Sequence, residues 1–244
     1  MYKIFDTVDE VSKYTAQRIM KKIQAKPNTI LGLATGGTME PVYAKLLELI
    51  SQTSLDLSKL TTFNLDEYIG LSANHPQSYN YYMYEHLFNN LNIPKQRVNL
   101  PDGMAENVEE ECKKYSKAIQ DIGGLDLQLL GIGSNGHIGF NEPHTSFSSR
   151  THVIELTRQT RIDNGRFFKN KKEVPTHAIT LGILDILEAK EIILVATGSN
   201  KAEIMAKLFH SPIDEALPAS ALKQHKNLTI VLDSKAAALY PENI

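Results

Sequence analysis

The sequence has little cysteine: a single residue, Cys112, in a chain of 244. An intrachain disulfide is therefore excluded. The Glu- and Lys-rich helical surroundings of Cys112 predict a partly buried bystander. Charge of one sign is also lacking, for the net charge is −2. That leaves no electrostatic footprint for nucleic acid or an anionic membrane, and neither is expected as a partner. Long apolar runs are missing. The longest are of strand length, far short of the roughly 20 residues a membrane helix needs. The opening MYKIFDTVDEV has neither a basic n-region nor an apolar h-region. No signal peptide is expected, and the chain is read as cytoplasmic. Several chemical signatures are absent as well. There is no Walker A loop, no HExxH, no His-x-His and no GxSxG, and the Thr35–Thr38 turn is not a GxGxxG, so the sequence offers no standard metal site or serine nucleophile.

What is present is an ordinary globular composition, 42% apolar and 22% charged. It suffices for a sizeable core in one large α/β domain or two small ones. Short apolar runs predict buried strands at Thr29–Ala34, Leu60–Leu65, Arg97–Leu100, Leu125–Ile132, Glu191–Thr197 and Asn227–Leu232. Helix-period segments lie between them at Asp9–Gln24, Met39–Ser51, Ser78–Asn89, Ala105–Ile122 and Asn200–Phe209. This alternation predicts a mostly parallel sheet with helices on both faces. With no repeat, low-complexity run or linker, a single domain over residues 1–244 is expected. The least regular stretch, Thr151–Thr176, is too long for an ordinary connection and suggests a lid or a small insertion.

Ligands of such sheets bind at the carboxyl ends of strands, and four strand ends carry unusual residues. Thr35-Gly36-Gly37-Thr38 combines a close-approaching backbone, two hydroxyls and a following helix N-terminus, which favours an anion such as phosphate. Thr197-Gly198-Ser199-Asn200-Lys201 repeats the theme. Lys201 would sit in the first turn of a helix, where a cation is unfavourable unless a bound anion compensates it. Arg166, in the irregular stretch, is a candidate second cation. Asp66 and Glu67 end the strand Leu60–Leu65 and are adjacent in an extended segment, so at most one faces a ligand. Either can be a general base, a metal ligand or a cap. Gly131–Pro143, GIGSNGHIGFNEP, packs four glycines with Asn135, His137 and Glu142. The glycines bring backbone against ligand, His137 can exchange a proton near neutral pH, and Glu142 can orient it. The residues alone thus point to a sugar-sized anion site with a base and a histidine.

LGLATGGT, FNLDEYIGL, HPQSYNYYM, GIGSNGHIGFNEP, SRT, RFF and GSNKA, in this order and over essentially the whole chain, resemble the glucosamine-6-phosphate deaminases. The resemblance implies a modified Rossmann-like α/β fold and conversion of glucosamine 6-phosphate and water to fructose 6-phosphate and ammonia, a hydrolase reaction at a C–N bond that needs no cofactor or metal. It implies that Asp66 removes the C2 proton, that His137 opens the ring, and that Glu142 is its partner. Thr35, Gly36, Gly37 and Thr38 correspond to the phosphate loop, Arg166 and Lys201 to its cationic arms, and about 151–182 to a mobile lid.

Two positions depart from the family pattern. Asn135 stands where some members carry aspartate, so it can orient His137 but cannot stabilise its cation by charge; that support is expected from Glu142. His152 and Ile154 stand where allosteric members carry an arginine and a lysine. Hyperbolic kinetics without activation by N-acetylglucosamine 6-phosphate are expected, in a monomer or small homo-oligomer. The alternatives are 6-phosphogluconolactonase, which shares the fold but needs no carboxylate over C2, and a non-enzymatic sugar-phosphate sensor domain.

Overall fold

Unbroken apolar runs form the centre of the sheet. In a computed structural model, which describes residues 1–165, 168 and 173–240, the segments ILGL (β2, Ile30–Leu33), LQLL (β6, Leu127–Leu130) and IILVA (β9, Ile192–Ala196) are buried along their whole length. Parallel strands covered on both faces require such sequences. With β1 (Tyr2–Phe5), β3 (Thr61–Asn64), β5 (Val98–Asn99) and β10 (Leu228–Asp233) they make a seven-stranded parallel sheet in the order β1-β10-β9-β6-β2-β3-β5.

From β2 the chain steps outward to β3 and β5; from β6 it steps the other way to β9 and β10. Right-handed crossovers running in opposite directions place their helices on opposite faces. Helices α1 (Val8–Ala25) and α2 (Glu40–Ser51) therefore share one face. The other carries α4 (Val108–Asp121), α6 (Ile183–Leu187) and α7 (Ala202–His210). Helix α1 starts at a capping box, with the Thr7 hydroxyl and the Glu10 carboxylate serving each other's backbone N–H. Helix α2 starts with Pro41 in its first turn, where a missing N–H costs nothing. The strand order reverses between β2 and β6, and a crevice opens at such a point.

A second, three-stranded antiparallel sheet has the order β4-β8-β7, from Asp66–Tyr68, His177–Thr180 and His152–Glu155. It corrects two expectations. Asp66 and Glu67 do not end the strand before them: Leu65 is a joint, and they begin β4 of the other sheet. The stretch Thr151–Thr176, read as irregular, contains β7 and helix α5 (Arg158–Gly165). Strands of three or four residues with His, Glu and Asp among them carry no clear period of two, and their pairing partners are distant in sequence. Tyr68, Phe140, Leu156, Phe168, Val174 and Ala178 form a small separate core there.

Candidate active site

The loops after β9, β6, β2 and β3, four neighbouring strands, converge on one cavity of about 820 Å³. The unusual residues end these strands because the apolar run supplies the buried strand and the polar turn emerges at its carboxyl end. Thr35, Gly36, Gly37, Thr38, Asp66, His137 and Lys201 all line the cavity. Arg166 lies outside the described residues. Asn135 and Glu142 are not on the wall; they stand behind His137.

The turn after β2 is held from within. Gly36 has φ +104°, a conformation that glycine adopts without strain. The Tyr82 hydroxyl donates to the Gly36 carbonyl at 2.9 Å, and the Tyr43 hydroxyl donates to that of Ala34. Helix α2 begins immediately beyond, so its unpaired N–H groups add to an anion-attracting end. Across the cavity Lys201 precedes α7, and its Nζ donates to the Ile132 carbonyl at 2.8 Å. The Gly198 N–H is engaged elsewhere, by the Asp233 carboxylate.

Alternation along β4 separates the two acids. Asp66 faces the cavity and is buried. Glu67 faces α3 (Tyr79–His86), accepting the N–H groups of Tyr79 and Asn80 at 2.9 and 2.8 Å as well as that of Tyr68. Each thus takes one of the roles open to the pair: a candidate base, and a helix cap. Burial, with the Glu67 charge adding to it, holds the Asp66 carboxyl well above the usual carboxylate range. Burial lifts Glu67 to about 7, against the pull of its three backbone N–H groups. Gly139, with φ +57°, passes beside Asp66; a Cβ there would lie 3.5 Å from Asp66 Oδ2 and 2.9 Å from Thr180 Oγ1.

His137 has its own fixed geometry. Its Nδ1 lies 2.7 Å from Asn135 Oδ1, which also accepts the His137 backbone N–H at 3.2 Å. Asn135 Nδ2 donates to Glu142 Oε2 at 2.7 Å. A carboxylate can only accept, so the amide has one orientation and Nδ1 must be the donor. The neutral ring therefore presents Nε2 as the nitrogen able to take a proton. Glu142 Oε2 is 3.8 Å from Nδ1, so its charge reaches the ring across Asn135.

Other wall residues had no assigned role in the sequence reading. Tyr79 is stacked on Phe140, with ring centroids 5.8 Å apart and 12° between planes. It lies within the HPQSYNYYM segment at the first position of α3, and an aromatic residue directly after a polar turn is the signal that could have found it. Ser134, Gln159 and Ile162 also line the cavity, the last two from α5. Among the described residues no group of three or more His, Cys, Asp or Glu side chains is placed to hold a metal ion. Among them, too, no helix is long and apolar enough to cross a membrane.

Fold and cavity together define a Rossmann-like α/β enzyme with a glycine-rich turn, a lysine, a buried carboxyl and a histidine gathered at its switch point. Residues 5–231 match the family model described as glucosamine-6-phosphate isomerases/6-phosphogluconolactonase. The chain belongs to this family. It is 49% identical over 242 residues to a glucosamine-6-phosphate deaminase of Thermoanaerobacter sp. (strain X514), covering 98% of this chain and 96% of that protein. It is 50% identical over 234 residues to that of Shouchella clausii, covering 96% and 95%. A solved structure of a monomeric glucosamine-6-phosphate deaminase superposes with a TM-score of 0.96 at 44% identity, over 98% of this chain and 99% of that one. A 6-phosphogluconolactonase from Trypanosoma cruzi shares the fold alone, with a TM-score of 0.79 at 20% identity, over 98% and 96%.

Proposed function

We propose that this chain converts glucosamine 6-phosphate and water to fructose 6-phosphate and ammonia, with Asp66 as the carbon base and His137 as the ring-opening group. The observation that carries the reading is the pairing, in one cavity, of a buried carboxyl and a histidine of fixed tautomer opposite an anion turn. Near-half identity to deaminases over nearly the full chain supports it.

Thr35–Thr38, the α2 N-terminus and Lys201 take the phosphate, with Arg166 as a further cationic arm. Their distance from the reacting carbons turns binding energy into alignment. His137 Nε2 takes the anomeric hydroxyl proton and returns one to the ring oxygen. The open aldehyde acidifies the C2 hydrogen, and Asp66 removes it. The enolamine is reprotonated at C1, and water hydrolyses the C2 imine, releasing ammonia. The substrate's own carbonyl is the electron sink, so the route needs neither metal nor organic cofactor. Asn135 and Glu142 position His137, and α5 serves as part of the cover formed by about 151–182. The protein works in the cytoplasm as a single domain, in a monomer or small homo-oligomer. It has no nucleic-acid or membrane partner, and with His152 and Ile154 in β7 it follows hyperbolic kinetics.

Purified protein should release ammonia from glucosamine 6-phosphate and leave 6-phosphogluconolactone to hydrolyse at its background rate. The opposite preference would mean a lactonase, and no turnover of either a sensor. Lys201→Ala removes one charged hydrogen-bond donor to the phosphate. KM should rise about 10- to 100-fold with a smaller change in kcat, as steady-state kinetics will show. Asn135→Asp places an acceptor against Glu142 Oε2, where Asn135 Nδ2 now donates at 2.7 Å. The two carboxyls must then share a proton, so the acid limb of the pH–rate profile should move to higher pH. An unmoved acid limb, or a large gain in rate, would show that Asn135 does not link His137 to Glu142.

A further inference from the structure

Glu142 is held from two sides. Its Oε2 takes the Asn135 amide at 2.7 Å, on the way to His137. Its Oε1 takes the Thr157 hydroxyl at 3.1 Å and the Thr160 hydroxyl. Both threonines belong to the start of α5: Thr157 Oγ1 accepts the Thr160 N–H at 3.2 Å, which caps that helix. From the same helix Gln159 and Ile162 form part of the cavity wall. One buried carboxylate thus joins the covering helix to the histidine.

We propose that Thr157 and Thr160 are positioning residues that hold Glu142 against Asn135, so that the seating of α5 over the substrate and the alignment of His137 are a single event. The proposal rests on the reading of His137 as the ring-opening group. Its physical basis is an accounting of donors. Glu142 is buried, so Oε1 has no bulk water to fall back on. Without the two hydroxyls its remaining donor among the described residues is the Thr157 N–H at 3.4 Å. A buried carboxylate oxygen deprived of donors is costly. It is relieved by rotation of the carboxylate, which loosens the Asn135 contact. Conversely, an α5 that is not seated withdraws both hydroxyls. The histidine would then be fully aligned only beneath a covered substrate, which keeps proton transfer away from bulk water.

The test compares wild type with the pair Thr157→Val and Thr160→Val, which keeps shape and loses both hydroxyls, and with Thr157→Ser and Thr160→Ser, which keeps them. Ammonia release from glucosamine 6-phosphate is followed under saturating and limiting substrate. The valine pair should lose about 10- to 100-fold in kcat with KM within about threefold, the loss expected for hydrogen bonds to a charged group. The serine pair should recover to within about threefold of wild type. A folded valine pair with wild-type kcat overturns the proposal. So does a serine pair as slow as the valine pair, since packing of the methyl groups would then be the cause. If the valine pair does not fold, Thr157→Val alone, at an exposed position, should show a smaller loss in the same parameter, and an unchanged kcat there overturns the proposal. A wild type that releases no ammonia refutes the enzymatic reading itself, whereas an active wild type beside an unimpaired valine variant refutes the coupling alone.

Discussion

Asp66→Asn should lower kcat for ammonia release by about three orders of magnitude or more, within the range a positioned base contributes, and leave KM within a few-fold. The substitution keeps size and most hydrogen-bonding capacity but cannot take a proton from carbon. The proposed phosphate contacts, Thr35–Thr38 and Lys201, are other residues of the cavity, so binding should persist. The wild-type pH profile provides a second check. Burial and the Glu67 charge hold Asp66 well above the usual carboxylate range. A base must be ionised to act, so activity should fall on the acid side well before the pH reaches about 4, the value for an ordinary aspartate. An acid limb at that ordinary value would mean that another group is titrating.

Gly133→Ala should be nearly as damaging, by a different route. A Cβ at Gly133 would lie 2.1 Å from His137 Cε1, 2.3 Å from Nδ1 and 2.4 Å from Nε2. No adjustment of a few tenths of an ångström relieves that overlap; the ring must leave its place. The Nδ1–Asn135 contact that sets the tautomer goes with it. We expect kcat to fall by about 100-fold or more, in line with the loss of an acid–base group. The thermal midpoint should fall far less than the activity, because His137 stands on the cavity wall and not in the apolar core. Steady-state kinetics together with a melting curve separate this displacement from general unfolding. Wild-type kcat in a folded Gly133→Ala would show that the ring position does not matter.

Gly133 also shows what the sequence made legible. A glycine four residues before a histidine reads as freedom for a tight turn, which is correct as far as it goes. That the missing side chain is the space occupied by the imidazole needs coordinates. The strands β2, β6 and β9 were legible because each is an apolar run stopped by polar residues, and β3, TTFN, because it is β-branched and aromatic between two leucines; the four motifs that follow them do meet in one cavity. Period-two alternation correctly separated Asp66 from Glu67, although it placed both at the end of the wrong strand. The small antiparallel sheet was not legible, since β4 meets β8 more than a hundred residues later and local sequence carries no trace of that pairing. Thr157 and Thr160 show an i, i+3 hydroxyl spacing typical of a helix start. Their partner Glu142 lies 15 and 18 residues back, beyond any local pattern. Asn135 was read as a neutral substitute for a charge; in the fold its amide contacts both Glu142 and His137.

The most direct measurement is product balance. Purified protein is incubated with glucosamine 6-phosphate, and ammonia and fructose 6-phosphate are quantified together over time. Equal amounts of the two, formed by wild type and not by Asp66→Asn, are the expected result. Ammonia without the ketose, neither product, or equal rates from both proteins would contradict the assignment of this cavity as a deaminating isomerase with Asp66 as its base.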